Sequence, residues 1–218
     1  MDMKAVRAAL IWAALAVAIA VPVAASAAST LLAYRDPIYI IAGFAGVIAL
    51  GLLLVQPTLI GGYLPGLTPI GRRRAHRFVG AGLVAAMLIH VGGLWITSPP
   101  DVIDALVFAS PTPFSAWGVI AMWAIFAVAL LAALRRRLRL TARSWRISHS
   151  ILAVVIVVGS VVHSLLIEGT METVSKAALC VLVVVATMRV IFKVPVWPWR
   201  KTSAAVDHTG RDRVPTRQ

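Results

Sequence analysis

Four histidines lie within long apolar stretches of the sequence, and their spacing is regular. His76 and His90 share one stretch, His149 and His163 share another, and both pairs are fourteen residues apart. On an α-helix, fourteen residues return to within about 40° of the starting direction and advance about 21 Å along the axis. Each pair is therefore predicted to occupy one helix face at two different depths.

Two imidazoles at the same depth on facing helices form a natural pair of axial ligands for haem iron. With both axial positions filled by protein, such an iron passes electrons and does not bind a substrate. A zinc or copper site needs three or four converging ligands, whereas each depth offers two, and the same stretches contain no Asp, Glu or Cys. The alternative, that each histidine only hydrogen-bonds a neighbouring helix, explains the matched register of all four less well.

The composition indicates a membrane protein. Of 218 residues, 60% are hydrophobic and 13% are charged, which excludes an ordinary soluble enzyme, a disordered chain and, with its single Cys180, a disulfide scaffold. A membrane-spanning helix needs about 20 apolar residues. The predicted fold is all-α, a polytopic bundle of six transmembrane helices within residues 1–193, followed by a basic tail, residues 194–218. The predicted spans are residues 8–28, 38–60, 76–96, 114–134, 145–167 and 174–192.

The first stretch could instead be a cleaved signal peptide, because Lys4 and Arg7 precede it and Ala24-Ala25-Ser26-Ala27 resembles a cleavage site. Its uncharged run is longer than the apolar region of a usual signal peptide, which favours a retained helix.

The net charge of +13 is distributed unevenly between the two ends of the predicted helices. Nineteen of the 21 Lys and Arg residues fall on one side, and only Arg35 and Lys176 fall on the other. By the positive-inside rule, both termini are predicted to be cytoplasmic, in the plasma (inner) membrane. The charge therefore marks one membrane face and gives no reason to expect nucleic-acid binding.

Several arginines lie close to the predicted cytoplasmic histidines and could pair with haem propionates through bidentate hydrogen bonds. The positive-inside bias would by itself also account for them. The candidates are Arg73, Arg77 and Arg146, with Arg74 and Arg143 beside them.

Two segments resemble the haem-binding helices of the ferric reductase-like transmembrane domain family. They are Arg73-Arg74-Ala75-His76-Arg77-Phe78-Val79-Gly80 leading to His90, and Trp145-Arg146-Ile147-Ser148-His149 leading to His163. The resemblance extends from Ala8 to about Phe192. It implies that His76 and His149 hold an inner b-type haem and that His90 and His163 hold an outer one.

The family includes ferric reductases, NADPH oxidases and the haem-bearing membrane subunit of the bacterial methionine sulfoxide reductase system. The sequence contains no His-Pro-Phe-Ser/Thr flavin segment and no Gly-rich nucleotide loop. In this stand-alone form it is similar to the methionine sulfoxide reductase membrane subunit, which implies a separate electron donor.

The expected function is that of a transmembrane diheme cytochrome b. It is an oxidoreductase without its own flavin or NAD(P)H domain that moves electrons from a cytoplasmic donor to an outer-face acceptor. The donor would be a separate flavin reductase with FMN, or a membrane quinol, and the acceptor a periplasmic reductase or a small molecule. Two alternatives stay open: a quinone-linked cytochrome b subunit of a dehydrogenase, and a haem-free membrane transporter or assembly protein. No catalytic side chain is assigned.

Overall fold

The computed structural model describes residues 2–193. These residues form seven α-helices and one 3₁₀ turn, joined by loops. Six of these helices are long and apolar enough to cross a membrane, which confirms the predicted all-α bundle. The predicted basic tail, residues 194–218, lies outside the described residues. The helices are α1 Met3–Ala27, α2 Pro37–Gly61, α3 Pro69–Thr97, α4 Pro99–Leu106, α5 Pro113–Leu134, α6 Ala142–Leu166 and α7 Thr173–Lys193, with the 3₁₀ turn at Thr30–Leu32.

Helix α3 begins seven residues before the predicted span. The Thr68 side chain accepts a hydrogen bond from the Gly71 N–H at 3.1 Å, and Pro69 occupies the first helical position. Both features are favourable at a helix start. The arginines at 72–74 therefore lie on the helix and not in a loop. Helix α6 likewise starts early, because the Thr141 side chain accepts from the Ser144 N–H.

The short helix α4 was not predicted. It occupies the loop between the third and fourth spans and contacts both α3 and α5. Two prolines open it, Asp101 lies in its first turn, and Val102 is its buried residue. Eight residues rise about 12 Å, too little to cross a membrane. The segment caps one end of the bundle.

Five spans form a closed ring, in the order α2, α3, α5, α6, α7 and back to α2. Each ring helix contributes to one apolar core. The two histidine-bearing helices, α3 and α6, lie across this ring from each other, with α5 between them on one side and α2 and α7 on the other. Representative core residues, one from each ring helix, are Leu50, Met87, Met122, Ile156 and Val183.

Helix α1 packs outside the ring, against α2 and α7. Its Ile19 side chain lies against Gly51, where an added Cβ would come within 3.0 Å. The Trp12 indole N–H donates to the Pro65 carbonyl at 3.3 Å. Helix α1 is peripheral to the histidines, and the retention of this helix in the mature protein stays a prediction.

The start of α7 carries a carboxylate cap. Glu172 accepts hydrogen bonds from the backbone N–H groups of Ser175 and Val174, both at 2.7 Å. These bonds hold the pKa of the Glu172 carboxyl below its usual 4.5. Because the folded-state pKa is lowered, the cap stabilises the fold above about pH 4.5, and this contribution is lost as the pH falls through the lowered pKa.

We expect Glu172→Ala to lower the Tm of the purified protein at neutral pH, with the difference from the unsubstituted protein disappearing in acid. Glu168→Ala, in the same exposed loop, is the matched control and should leave the Tm unchanged. If Glu172→Ala lowered the Tm by the same amount in acid and at neutral pH, the stabilising role of the Glu172 carboxylate would be contradicted.

Candidate metal centres

The four histidines form two pairs across the ring. His76 on α3 faces His149 on α6 with ring centres 6.0 Å apart, and His90 faces His163 with ring centres 6.4 Å apart. The first is called the arginine-side pair, since it lies at the arginine-rich end of the bundle, and the second the distal pair. The structure thus brings together the residues that the spacing had placed at matching depths.

The separations within both pairs fit one metal ion between two imidazoles. Metal–imidazole bonds are about 2.0–2.1 Å long, and a ring centre lies about 1.1 Å behind its nitrogen, so opposed ligands have ring centres about 6.3 Å apart. Within residues 2–193, no group of three or more His, Cys, Asp or Glu side chains could hold a metal ion. Each level therefore offers two ligands, and a metal ion held there would need its remaining donors from a bound group such as a porphyrin.

The distal histidines are oriented by the backbone of neighbouring helices. His90 Nδ1 lies 2.8 Å from the Ala42 carbonyl oxygen on α2, and His163 Nδ1 lies 2.9 Å from the Phe114 carbonyl oxygen on α5. A carbonyl oxygen can only accept, so each Nδ1 carries the ring proton and each Nε2 keeps its lone pair. This is the tautomer that a metal-binding imidazole commonly adopts when its second nitrogen is hydrogen-bonded.

The arginine-side histidines are held differently. The Nδ1 atoms of His76 and His149 are buried and have no hydrogen-bond partner among the described residues. The Trp145 ring stacks on His149 with ring centres 5.2 Å apart and planes inclined by 24°, and the Arg135 guanidinium lies over Trp145 at 4.9 Å. At His149, stacking therefore takes the place of a hydrogen bond. The four-residue spacing of Trp145 and His149 was the signal for this contact.

The three arginines predicted to meet haem propionates are exposed at the arginine-side end. Arg73 precedes His76 by three residues and Arg146 precedes His149 by three, so each lies on the same helix face as its histidine. Arg77 follows His76 directly and points about 100° away from it around α3. The helix geometry thus brings two of the three beside the arginine-side pair.

The distal end contains a buried cation. Lys176 on α7 is 5% exposed, and its Nζ donates to the Ile167 carbonyl at 2.8 Å. The Ile167 N–H in turn bonds to the His163 carbonyl at 3.1 Å, one helical turn from the distal pair. An ammonium has three donors, and residues 2–193 accept one hydrogen bond from this group. Sequence reasoning had counted Lys176 only as an exception to the charge asymmetry.

A family model described as "Ferric reductase like transmembrane component" matches residues 42–160, more than half of the chain. The matched segment extends from α2 into α6 and contains His76, His90 and His149, and His163 lies three residues beyond it. Among curated proteins and solved structures, nothing matches the chain.

Proposed function

The chain belongs to the family of ferric reductase-like transmembrane components and is at that level a membrane electron-transfer oxidoreductase; on that premise, we propose that it is a transmembrane diheme cytochrome b. The observation that carries the proposal is the presence of two histidine pairs at two depths. Each pair has the ring separation expected of opposed ligands to one metal ion.

In this proposal, His76 and His149 hold one haem iron, and His90 and His163 hold the other. A haem with two axial histidines supplies one-electron iron chemistry and has no open coordination position. The backbone bonds of the distal histidines keep their Nε2 atoms available, while stacking of Trp145 fixes the ring of His149. Arg73 and Arg146 are placed to bind propionates at the arginine-side level.

Electrons enter at the arginine-side end, which the positive-inside rule assigns to the cytoplasm together with both termini, in the inner membrane. Of the carboxylates within residues 2–193, only Asp2 lies at this end. A strongly basic face accelerates encounter with an acidic partner, so the proposed donor is a separate cytoplasmic flavin reductase. Within residues 2–193, the exposed arginines of this face are Arg7, Arg73, Arg74, Arg77, Arg135, Arg136, Arg137, Arg139, Arg143, Arg146 and Arg189.

Electrons leave at the distal pair, toward an acceptor on the outer face. The α4 segment covers this end of the bundle between α3 and α5. The acceptor is a periplasmic reductase or a small molecule that reaches the distal level near Lys176. This lysine supplies a positive charge at that depth.

The test of the proposal is the absorption spectrum of the purified full chain with and without dithionite. We expect two low-spin b-type haems per chain, both reducible. A colourless protein that cannot be loaded with haem would overturn the proposal and favour a transporter or an assembly protein.

The donor is tested separately, with the haem-loaded protein. A flavin reductase supplied with NADPH should reduce both haems, and a quinol should not. Reduction by quinol alone would favour a quinone-linked subunit of a dehydrogenase.

A further inference from the structure

The two helix hairpins that carry the histidines contain the same contact between a histidine ring and a backbone carbonyl of the neighbouring helix. In the α2–α3 hairpin, His90 donates to the carbonyl of Ala42, and in the α5–α6 hairpin, His163 donates to the carbonyl of Phe114. Each histidine lies one helix away from its acceptor, 48 residues along the chain in the first hairpin and 49 in the second. The second hairpin therefore repeats the geometry of the first.

A glycine follows each acceptor carbonyl by four residues, namely Gly46 on α2 and Gly118 on α5. In a helix, the carbonyl of residue i faces residue i+4, whose N–H it already accepts, so a side chain at i+4 lies beside that carbonyl. A carbonyl oxygen has a second lone pair. A glycine at i+4 leaves this lone pair open to a donor from the next helix.

The space at both glycines is filled by the histidine rings. A Cβ added at Gly46 would lie 3.0 Å from His90 Nδ1 and 3.1 Å from its Cε1. A Cβ added at Gly118 would lie 2.7 Å from His163 Nδ1 and 2.9 Å from its Cε1. A methyl group at either position therefore conflicts with the ring that makes the hydrogen bond.

We propose that Gly46 and Gly118 are positioning residues for the distal pair. They open the Ala42 and Phe114 carbonyls to the two imidazole N–H groups, and so orient both Nε2 atoms for one haem iron. This inference rests on the proposed function, because it assigns new residues to one of its two metal centres.

The arginine-side pair does not have this device, which makes the proposal specific to one level. Fourteen residues beyond the two acceptors lie Gln56 and Val128, and four residues further lie Ile60 and Ala132 in place of glycine. The Gln56 main chain lies beside His76. The Nδ1 atom of His76 nevertheless has no partner within hydrogen-bond geometry among the described residues. Substitutions at Gly46 and Gly118 should therefore affect the distal haem alone.

The hydrogen bonds also have an electronic effect. A histidine that donates its Nδ1 proton to an acceptor becomes a more basic ligand at Nε2. A more basic ligand favours Fe(III) over Fe(II) and lowers the midpoint potential of the haem. Displacing His90 or His163 from its carbonyl should raise the midpoint potential of the distal haem, where that haem is still bound.

The experiment compares Gly46→Ala and Gly118→Ala with the unsubstituted full chain by haem content per chain and by redox titration. Alanine is a better helix former than glycine, so loss of helix propensity does not account for a defect. Gly43→Ala, on the same helix as Gly46, and Gly92→Ala are matched controls, because nothing lies within 4 Å of a Cβ added at either position.

We expect haem content to fall from two per chain toward one in Gly118→Ala, with a smaller loss in Gly46→Ala, where the contact is longer. The distal haem that remains should titrate at a higher potential, while the arginine-side haem and both control variants keep their properties. Equal loss of both haems, or two variants with normal haem content and normal potentials, would overturn the inference. If the unsubstituted chain itself binds no haem, the proposed function fails, and that result is distinct from either of these.

Discussion

Replacing His163 with alanine is expected to remove one of the two haems and to leave the other with its spectrum and potential largely intact. His163 provides one of the two ligands at the distal level, where its ring centre lies 6.4 Å from that of His90. The arginine-side pair is about 21 Å away along the helices, so its ligands are untouched. Haem content per chain and the reduced-minus-oxidised spectrum measure the effect.

The pairing itself can be tested with double substitutions. His90→Ala combined with His163→Ala should lose no more haem than either single change, since both act on one centre. His90→Ala combined with His149→Ala should lose both haems. Loss of both haems in His90→Ala with His163→Ala would contradict the pairing of these two histidines at one centre. His208→Ala, in the tail beyond the described residues, is the control histidine and should change nothing.

Removing the arginine-side pair is expected to stop a donor on that face from reducing the distal haem. In the variant His76→Ala with His149→Ala, the distal ligands remain in place, but the electron would have to cross about 21 Å more of protein in a single step. In sealed vesicles with the arginine-rich face outward, a flavin reductase with NADPH should reduce the distal haem of the unsubstituted chain and fail to do so in the variant.

Two controls accompany this measurement. Dithionite added to detergent-solubilised variant should still reduce the distal haem, which shows that the centre is intact. The same flavin reductase assay in vesicles of the opposite orientation should give no reduction of either protein, because the donor cannot reach the arginine-rich face. Rapid donor-driven reduction in the variant would mean that electrons do not pass through His76 and His149.

Much of the fold could be predicted because two signals are strong in a membrane chain. Apolar runs bounded by charges locate the spans, and the fourteen-residue spacing places His76 and His90 on one face without knowledge of the fold. Helix starts could not be placed by hydropathy. The start of α3 is set by Thr68 and Pro69, which lie outside the apolar segment. Helix α4 was missed because eight residues opened by two prolines resemble a loop.

The candidate site could likewise be predicted only in part. The four histidines could be paired from the sequence, because depth and face follow from residue number on helices that run in the same direction. The carbonyl acceptors could not, since every residue carries a carbonyl and only the packing of α2 against α3 selects Ala42. Gly46 and Gly118 resemble the many glycines that serve helix packing in membranes. Their role depends on which side chain lies opposite.

The depth difference between the two histidine pairs has a consequence for the energetics of transfer across a polarised membrane. About 21 Å of a hydrocarbon core about 30 Å thick is roughly 0.7 of its thickness. One elementary charge crossing the whole membrane exchanges about 2.3 kcal/mol per 100 mV, so an electron passing between the pairs exchanges about 1.6 kcal/mol per 100 mV. In a cell whose interior is negative, the proposed outward transfer from His76 and His149 to His90 and His163 would be electrogenic and driven by the field, and each turnover would depolarise the membrane.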